Sequence, residues 1–334
     1  MIKRKASNAT HPRRRVIWKI LAVVVVVCLG LYMVMYDPHK IGYWRSAEGQ
    51  QAYEAAYAEA MTLLPPPAQT YDIPTAYGTV RVYYWANEQP RSKTPAVFLP
   101  GRTSGVPMWN ANLPAIAATR PVYALDALGD AGLSKQTTVL KDGADQAAWL
   151  DQVLSALELE SVHLIGHSFG GWSAANYASR YPQRVATLLL LEPVFTFQGL
   201  KLEVYIKSIP ASLPFLPKAW RDSFLKDIGG AAEIDLNDPM TRMIVHGTDY
   251  YAAKLPLPEQ LSPEQMQSWN MPVFAAMAGK SALHDSRAAI VVANANVKHV
   301  QAKLWPDATH SLPMEVAAEL NGEMISFMDA NEPR

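Results

Sequence analysis

The sequence predicts an α/β protein with a mostly parallel, doubly wound sheet. From residue 96 onward, short apolar strands alternate with helix-length amphipathic stretches. The strands are continuously apolar instead of alternating with polar residues, which is the pattern of strands that helices cover on both faces. The expected strands lie at residues 96–99, 122–125, 162–165, 186–191, 273–277 and 301–305.

Two β-rich runs precede this alternation, at residues 71–74 and 79–85, and the Tyr77-Gly78 pair between them is a turn signal. They predict an opening hairpin. Further upstream, residues 47–64 are rich in helix formers and are followed by three prolines, which end a helix. Residues 37–69 are therefore expected to form a lead-in helix and a linker.

The alternation of strands and helices is interrupted between residues 195 and 270. This stretch is rich in proline and aromatic residues, and it is too long for an ordinary loop in a compact domain. We expect residues 195–270 to form an inserted helical cap over one end of the sheet. The core domain would then consist of residues 70–194 and 271–334.

The amino-terminal part of the chain has the composition of a membrane anchor. Residues 20–36 contain no charged side chain, and residues 16–18 extend the apolar run around Lys19, whose long side chain can reach the interface. No small-x-small pattern follows the run, which disfavours a cleaved signal peptide. We therefore expect residues 16–36 to form a single transmembrane helix. Cys28 is the only cysteine in the sequence, so no internal disulfide can form.

The charged residues are unevenly distributed along the chain. The whole sequence has 30 basic and 30 acidic side chains, but residues 1–36 carry seven of the basic ones and none of the acidic ones. The basic cluster in residues 1–15 predicts a cytoplasmic amino terminus, with the remaining chain on the outer face of the cell membrane. That remainder has a net charge of −7, which argues against nucleic acid as its partner.

The motif Gly-His-Ser-Phe-Gly at residues 166–170 carries the strongest chemical signal. A buried strand precedes it and a helix-compatible run follows it, and its two glycines stand where a side chain would collide with a neighbouring element. A strained turn of this kind exposes a serine hydroxyl above the sheet at a helix amino terminus. The arrangement predicts that Ser168 is a nucleophile, and a glycine-rich structural turn is the alternative.

A serine needs a general base to become nucleophilic at neutral pH. His310 lies on a loop between the last expected strand and a terminal helix that starts near Pro313, and we predict that His310 is this base. A surface-loop histidine is the alternative. Four other histidines lack this position and are expected to be structural or on the surface: His163, His246, His284 and His299.

These motifs resemble the α/β-hydrolase family over about residues 70–330, apart from the expected cap. Residues 98–102 (FLPGR) look like the family's oxyanion loop, and residues 126–134 (DALGDAGLS) look like the segment after its fourth strand. The opening hairpin and the serine motif are similar to those of bacterial carboxylesterases. The resemblance implies a serine hydrolase in which the main-chain N–H groups of Phe169 and Arg102 form the oxyanion hole.

The acidic member of the expected triad departs from the family pattern. The family usually places Asp or Glu three residues past the glycine that corresponds to Gly279, and this position is Ala282 here. Glu192 follows four leucines at a strand end, where a carboxylate is costly without a partner, and haloalkane dehalogenases are similar in carrying their acid there. We predict Glu192 as the acid. Asp285 and, less well placed, Asp307 are alternative acids. The non-catalytic alternative for Glu192 is a glutamate that faces solvent or caps the segment after it.

The predicted reaction is acyl transfer from a carboxylic ester or a similar substrate to water, without a metal or an organic cofactor. The partner would be a small-molecule acyl compound, and the cap composition favours an apolar acyl or alcohol group. Peptidase or C–C hydrolase activity on the same residues stays open. Pro100, which replaces a histidine that often braces the oxyanion loop, and the missing usual acid leave a second class open, a non-catalytic ligand-binding or signalling protein or a surface scaffold.

Overall fold

The structure is a computed structural model that describes residues 37–86, 93–213 and 216–333, together with residues 17, 18 and 21. The chain divides into two compact units, Met1–Lys40 and Ile41–Arg334, and the elements described below belong to the second unit. The expected anchor at residues 16–36 lies outside the described residues, except for those three positions. Within the described part of the chain, no helix is long and apolar enough to cross a membrane.

The second unit alternates strands and helices along most of its length. Its strands are β1 (Tyr43–Trp44), β2 (Gln69–Thr75), β3 (Gly78–Trp85), β4 (Ala96–Leu99), β5 (Val122–Leu125), β6 (Lys135–Gln136), β7 (Val162–His167), β8 (Val185–Leu191), β9 (Tyr251–Ala252), β10 (Val273–Ala278) and β11 (Val300–Trp305). Its α-helices are α1 (Ala47–Met61), α2 (Leu113–Ala117), α3 (Gly143–Ala156), α4 (Phe169–Arg180), α5 (Leu202–Ser212), α6 (Lys218–Gly229), α7 (Pro239–Tyr250), α8 (Pro263–Gln267), α9 (Ser286–Asn296), α10 (Leu312–Glu315) and α11 (Ala317–Ala330).

One large sheet carries the strands expected from the sequence. Its strand order is β11-β10-β8-β7-β4-β5-β3-β2, and β6 pairs with β3. Strands β5, β4, β7, β8, β10 and β11 run parallel, whereas β3 pairs antiparallel with β2, β5 and β6. The prediction of a mostly parallel α/β sheet that opens with a hairpin is therefore confirmed.

Neighbouring residues of a single strand enter different hydrophobic cores on the two faces of the sheet. In β8, Leu188 and Leu190 pack in the core that includes α3, α4 and α9. Leu189 and Leu191 pack in the core on the opposite face, with α1 and α11. Each leucine is fully buried, so a strand covered on both faces gains from an apolar side chain at every position.

The segment between residues 195 and 270 is mostly helical and contains α5 to α8. Val204 of α5 packs with Phe169 and Leu283 in a small apolar cluster at the carboxyl end of the sheet. Helix α7 packs against α1, where a β-carbon on Gly247 would come within 3.2 Å of the Tyr53 ring. The helix that the sequence places ahead of the core is thus a packed part of the same compact unit.

Candidate active site

Ser168 lies in the tight turn between the end of β7 and the start of α4. Its φ of 55° is in the left-handed region, which residues other than glycine rarely adopt. A β-carbon on Gly166 would collide with the carbonyl oxygen of Gly170, and a β-carbon on Gly170 would collide with the carbonyl oxygen of Leu99. The two glycines therefore allow the close main-chain contacts that hold the serine in this strained turn.

Three side chains from distant parts of the sequence meet at this turn. His310, on the loop before α10, has its Nε2 2.8 Å from Ser168 Oγ. The Nδ1 of His310 lies 3.2 Å from Oε2 of Glu192, which directly follows β8. Both His310 and Glu192 are buried. The hydroxyl, the imidazole and the carboxylate thus form one continuous chain of hydrogen bonds.

Several groups stabilise the charge of Glu192. The N–H of Ala278 donates to Oε1 at 2.6 Å, and the Ser286 hydroxyl donates to the same oxygen at 3.4 Å. Burial raises the pKa of this carboxyl, but the bond from His310, the nearby ring of His284 and the Ala278 amide together lower the pKa to about 2. Glu192 is therefore a carboxylate at neutral pH although it is buried.

The two alternative acids have other partners. Asp285 caps α9, where its Oδ1 accepts two N–H groups of the first helical turn. Asp307 is exposed, and its Oδ1 lies 2.9 Å from Nζ of Lys280. Among the described residues, neither carboxylate has a hydrogen bond or an ion pair with His310. Of the three acids considered from the sequence, Glu192 is the one that the structure brings to His310.

Two further buried histidines lie around this group, and sequence reasoning assigned a site role to neither. The Nε2–H of His167 donates to the carbonyl oxygen of His310 at 2.9 Å, and burial lowers the pKa of His167 to about 3. A neutral His167 therefore holds the loop without adding a charge beside His310. The Nε2 of His284 lies 3.5 Å from Oε2 of Glu192, and burial lowers the pKa of His284. His284 lies in the loop after β10, where the family resemblance predicts the acid, and this position is the signal that could have indicated its proximity to the site.

The loop after β4 lies against Ser168. A β-carbon on Gly101 would come within 3.4 Å of the Ser168 β-carbon and 3.0 Å of Nδ1 of His167, so glycine allows this close approach. In the described part of the chain, the main-chain N–H groups of Phe169 and Arg102 have no hydrogen-bond acceptor. Both donors are thus free to bind an oxygen atom of a substrate.

Comparison with known proteins shows which proteins this chain is similar to. The α/β-hydrolase fold family matches residues 94–217. The chain is 26% identical over 290 residues to the carboxylesterase YbfK of Bacillus subtilis (strain 168), which covers 85% of this chain and 95% of that protein. It is 25% identical over 285 residues to the uncharacterized carboxylesterase Nap of the same bacterium, with coverage of 83% and 92%. The chain is a serine hydrolase with the α/β-hydrolase fold.

A solved structure agrees with this fold over most of the hydrolase. The crystal structure of carboxylesterase CesB (YbfK) from Bacillus subtilis has a TM-score of 0.77 to this chain at 24% identity, and it covers 84% of this chain and 99% of the solved one. This structural similarity confirms the α/β-hydrolase fold, and the sequence similarity to the two carboxylesterases confirms the prediction of a serine hydrolase.

Apolar side chains lie beside Ser168. Phe169 and Trp172 from α4 form the small cluster with Val194, Val204 and Leu283. An apolar part of a substrate can lie against such a surface, while the few polar groups near Ser168 fix its orientation. Within the described residues, no group of three or more His, Cys, Asp or Glu side chains could hold a metal ion.

Proposed function

We propose that the hydrolase is an esterase in which Ser168 is the nucleophile, His310 is the general base and Glu192 orients His310. The observation that carries this proposal is the chain of hydrogen bonds from Ser168 Oγ through both ring nitrogens of His310 to Glu192, at 2.8 and 3.2 Å. The order serine, acid, histidine along the sequence is also the order of this fold family.

In the proposed reaction, Nε2 of His310 takes the proton of the Ser168 hydroxyl while the serine oxygen attacks the carbonyl carbon of the ester. The Glu192 carboxylate keeps the second ring proton on Nδ1 and stabilises the imidazolium that forms. His310 then gives its Nε2 proton to the leaving alcohol, and the acyl group remains on Ser168. His310 then takes a proton from the water that attacks this acyl-enzyme and gives it to Ser168 Oγ as the acyl–oxygen bond breaks, which releases the carboxylic acid.

The N–H groups of Phe169 and Arg102 are proposed to bind the negative oxygen of the tetrahedral intermediate. Loss of one such donor lowers kcat by about 10²- to 10³-fold in enzymes of this chemistry. Phe169 is also the first residue of α4, and the positive end of the helix dipole adds to the stabilisation of an anion there. These groups act mainly on the transition state, because the charge that they stabilise develops there.

The proposed substrates are carboxylic esters of small molecules with an apolar acyl or alcohol group. Two similar proteins have the name carboxylesterase, and the apolar cluster beside Ser168 supports an apolar group in the substrate. A peptidase or a C–C hydrolase can use the same three side chains, but no feature of the site favours an amide or a β-diketone over an ester.

We also propose that residues 16–36 anchor the hydrolase in the cell membrane, with residues 1–15 in the cytoplasm and the catalytic domain on the outer face. The uncharged run at residues 20–36 and the basic cluster before it support this orientation. The full chain should remain with membranes after extraction at alkaline pH, and protease added to intact cells stripped of their wall should degrade the catalytic domain. Release at alkaline pH would contradict the span, and protection from protease would contradict the orientation.

Turnover of a substrate panel tests the proposed activity. The purified full chain is incubated with p-nitrophenyl esters of increasing acyl length, with matched amides and with a β-diketone, and Ser168→Ala is the control. We expect ester turnover only, together with a transient acyl adduct in the intact-protein mass that Ser168→Ala does not form. Ester turnover that survives in Ser168→Ala would contradict the proposal. A folded wild-type protein that turns over none of these compounds would favour the non-catalytic binding protein.

A further inference from the structure

A buried carboxylate lies against the loop that follows β4 and contains Arg102. Asp130 is 3% exposed. Its Oδ2 accepts the N–H of Thr103 at 3.0 Å and lies 3.3 Å from Nε of Arg102. Its Oδ1 accepts the N–H of Ala131 at 2.9 Å. One carboxylate therefore contacts both the side chain of Arg102 and the main chain of the next residue.

The main chain next to the Arg102 amide is strained. Thr103 has a φ of 57°, and a β-branched residue in the left-handed region is an outlier that persists only where its surroundings hold it. The bond from the Thr103 N–H to Asp130 is one such constraint. A second is the bond from the N–H of Ser104 to the carbonyl of Gly101 at 3.3 Å. Because this carbonyl and the Arg102 N–H belong to one planar peptide unit, the bond also fixes the direction of that N–H.

The side chain of Arg102 links this loop to the turn that carries the nucleophile. Its guanidinium carbon lies 5.5 Å from the centroid of the Phe169 ring, within the range of a cation–π contact. Phe169 supplies the second proposed oxyanion donor, so contacts from Asp130 through Arg102 to Phe169 connect both donors. The carboxylate of Asp130 also balances the charge of the guanidinium, which favours a structural link over a binding site for an anionic substrate.

We propose that Asp130 and the side chain of Arg102 are positioning residues that hold the two oxyanion donors at a fixed separation. This inference rests on the proposed ester hydrolysis by Ser168. Neither side chain transfers a proton in that reaction, and each acts through the main-chain N–H groups of Phe169 and Arg102. Their loss should therefore weaken binding of the tetrahedral transition state and leave binding of the ester itself nearly unchanged.

Three variants of the full chain test this inference. Asp130→Ala removes all bonds of the carboxylate, Asp130→Asn removes only its charge, and Arg102→Gln removes the guanidinium but keeps the main-chain N–H. We expect kcat to fall about 10²-fold in Asp130→Ala and about 10-fold in the other two, with KM within about twofold of wild type. The affinity for a boronic acid, which forms a tetrahedral adduct with serine, should fall in parallel with kcat.

A matched control removes an ion pair elsewhere. Asp72 binds the guanidinium of Arg81 with two hydrogen bonds, at 2.7 and 3.0 Å, in the opening hairpin. Asp72→Asn should therefore keep kcat and boronate affinity within about twofold of wild type, as expected for a surface pair. Thermal unfolding is followed for every variant. If Asp130→Ala fails to fold, the two milder variants still test the proposal, because each keeps most of the local contacts.

The possible results separate this inference from the proposed function. Wild-type kcat and boronate affinity in both Asp130→Asn and Arg102→Gln would overturn the positioning role. So would a rise in KM for esters that carry an anionic group, with unchanged kcat, because it would make Arg102 a substrate-binding side chain. Ser168→Ala is measured in the same assay. If Ser168→Ala keeps its turnover, the proposed function fails. If Ser168→Ala is inactive while Asp130→Asn and Arg102→Gln are fully active, only the positioning role is overturned.

Discussion

Two buried histidines, each beside a glutamate, lie at opposite ends of β7. At the amino end, His163 has its Nδ1 2.8 Å from the hydroxyl of Thr187 and its Nε2 3.3 Å from Oε2 of Glu332. At the carboxyl end, His310 lies between a glutamate and Ser168. The chemical groups are nearly the same at the two ends, so a histidine, a hydroxyl and a carboxylate in contact do not by themselves define an active site.

Main-chain strain distinguishes the two ends. Of the five described residues other than glycine that have a positive φ, four lie at the carboxyl end: Thr103, Ser168, Glu192 and Phe195. The fifth, Glu158, lies in the turn after α3. Conformations of this kind cost free energy and are maintained at functional sites by the surrounding structure. The strained turn points the Ser168 hydroxyl at His310, whereas Thr187 lies within strand β8 and has no positive φ.

At the amino end, the contacts attach the carboxyl terminus to the sheet. The side chain of Arg120 is fully buried, its Nη1 lies 2.9 Å from Oε2 of Glu332, and its Nη2 pairs with Asp329. His163 binds the same Glu332 oxygen. These contacts hold the end of α11 and the residues after it against the start of the parallel strands.

Substitution of His310 and of His163 should give the largest difference in kcat between the two ends of β7. His310→Gln removes the proposed general base and should lower kcat for esters by about 10⁴-fold or more. His163→Gln should keep kcat within about twofold, because His163 contacts no group of the site. Steady-state kinetics on one soluble ester measures both, and a comparable loss in both variants would show that the amino end takes part in catalysis.

Substitution of the two candidate acids should give the next largest difference. Glu192→Gln leaves His310 without a negative partner and should lower kcat by about 10²- to 10⁴-fold. Asp285→Asn changes only a helix cap and should leave kcat nearly unchanged, with a loss of stability of about 1 kcal/mol or less. Turnover rates and urea unfolding of both variants provide the check. A large loss of kcat in Asp285→Asn alone would make Asp285 the acid.

Substitution of Glu332 should have the opposite effect, a loss of stability without a loss of activity. Glu332→Gln weakens the contacts of the buried Arg120 and of His163, and we expect the free energy of unfolding to fall by about 1 to 3 kcal/mol. The ester kcat should stay within about twofold at a temperature where the variant is folded. Urea unfolding and kinetics on the same preparation measure the two quantities. A loss of kcat without a loss of stability would contradict a purely structural role of Glu332.

The smallest expected effect is a pH dependence of stability at the amino end. Burial lowers the pKa of His163 from 6.5 to about 4, so the unfolded chain binds a proton there at a higher pH than the folded chain. This site should therefore reduce the free energy of unfolding as the pH falls from about 6.5 to 4, by about 2 kcal/mol at pH 5. His163→Gln should remove this dependence. The test is urea unfolding of the wild-type protein and of His163→Gln at pH 7.5 and pH 5. If the free energy of unfolding falls equally in both proteins on acidification, His163 is not the cause of the pH dependence.

The sheet was predictable because each strand carries a strong local pattern. Four leucines at 188–191 favour a strand that is covered on both faces. The eight predicted strands agree with observed strands within two residues at each end, whereas the two-residue strands β1, β6 and β9 were not predicted. Strand β7 continues to His167 instead of ending at 165, since it still pairs with β8 there. The sequence could not show this, because Gly166 and His167 have no apolar side chain.

The contacts around the site were only partly predictable. Glu192 stood out because a carboxylate after a buried strand requires a partner, and the partner expected for it was His310. The contacts of His284 and Asp130 depend on how distant loops fold back, and neither residue belongs to a periodic pattern. The packing of α1 against α7 escaped prediction for a related reason, since an amphipathic helix shows which face it buries but not its partner.

The central claim is that His310 activates Ser168 at the carboxyl end of the sheet. The most direct test is to label the purified full chain with a fluorophosphonate and to locate the adduct by peptide mass spectrometry. We expect one adduct, on Ser168, which is absent from Ser168→Ala, forms at least about 10³-fold more slowly in His310→Gln, and forms at the wild-type rate in His163→Gln. An adduct on another residue, or no adduct on the folded wild-type protein, would contradict the claim.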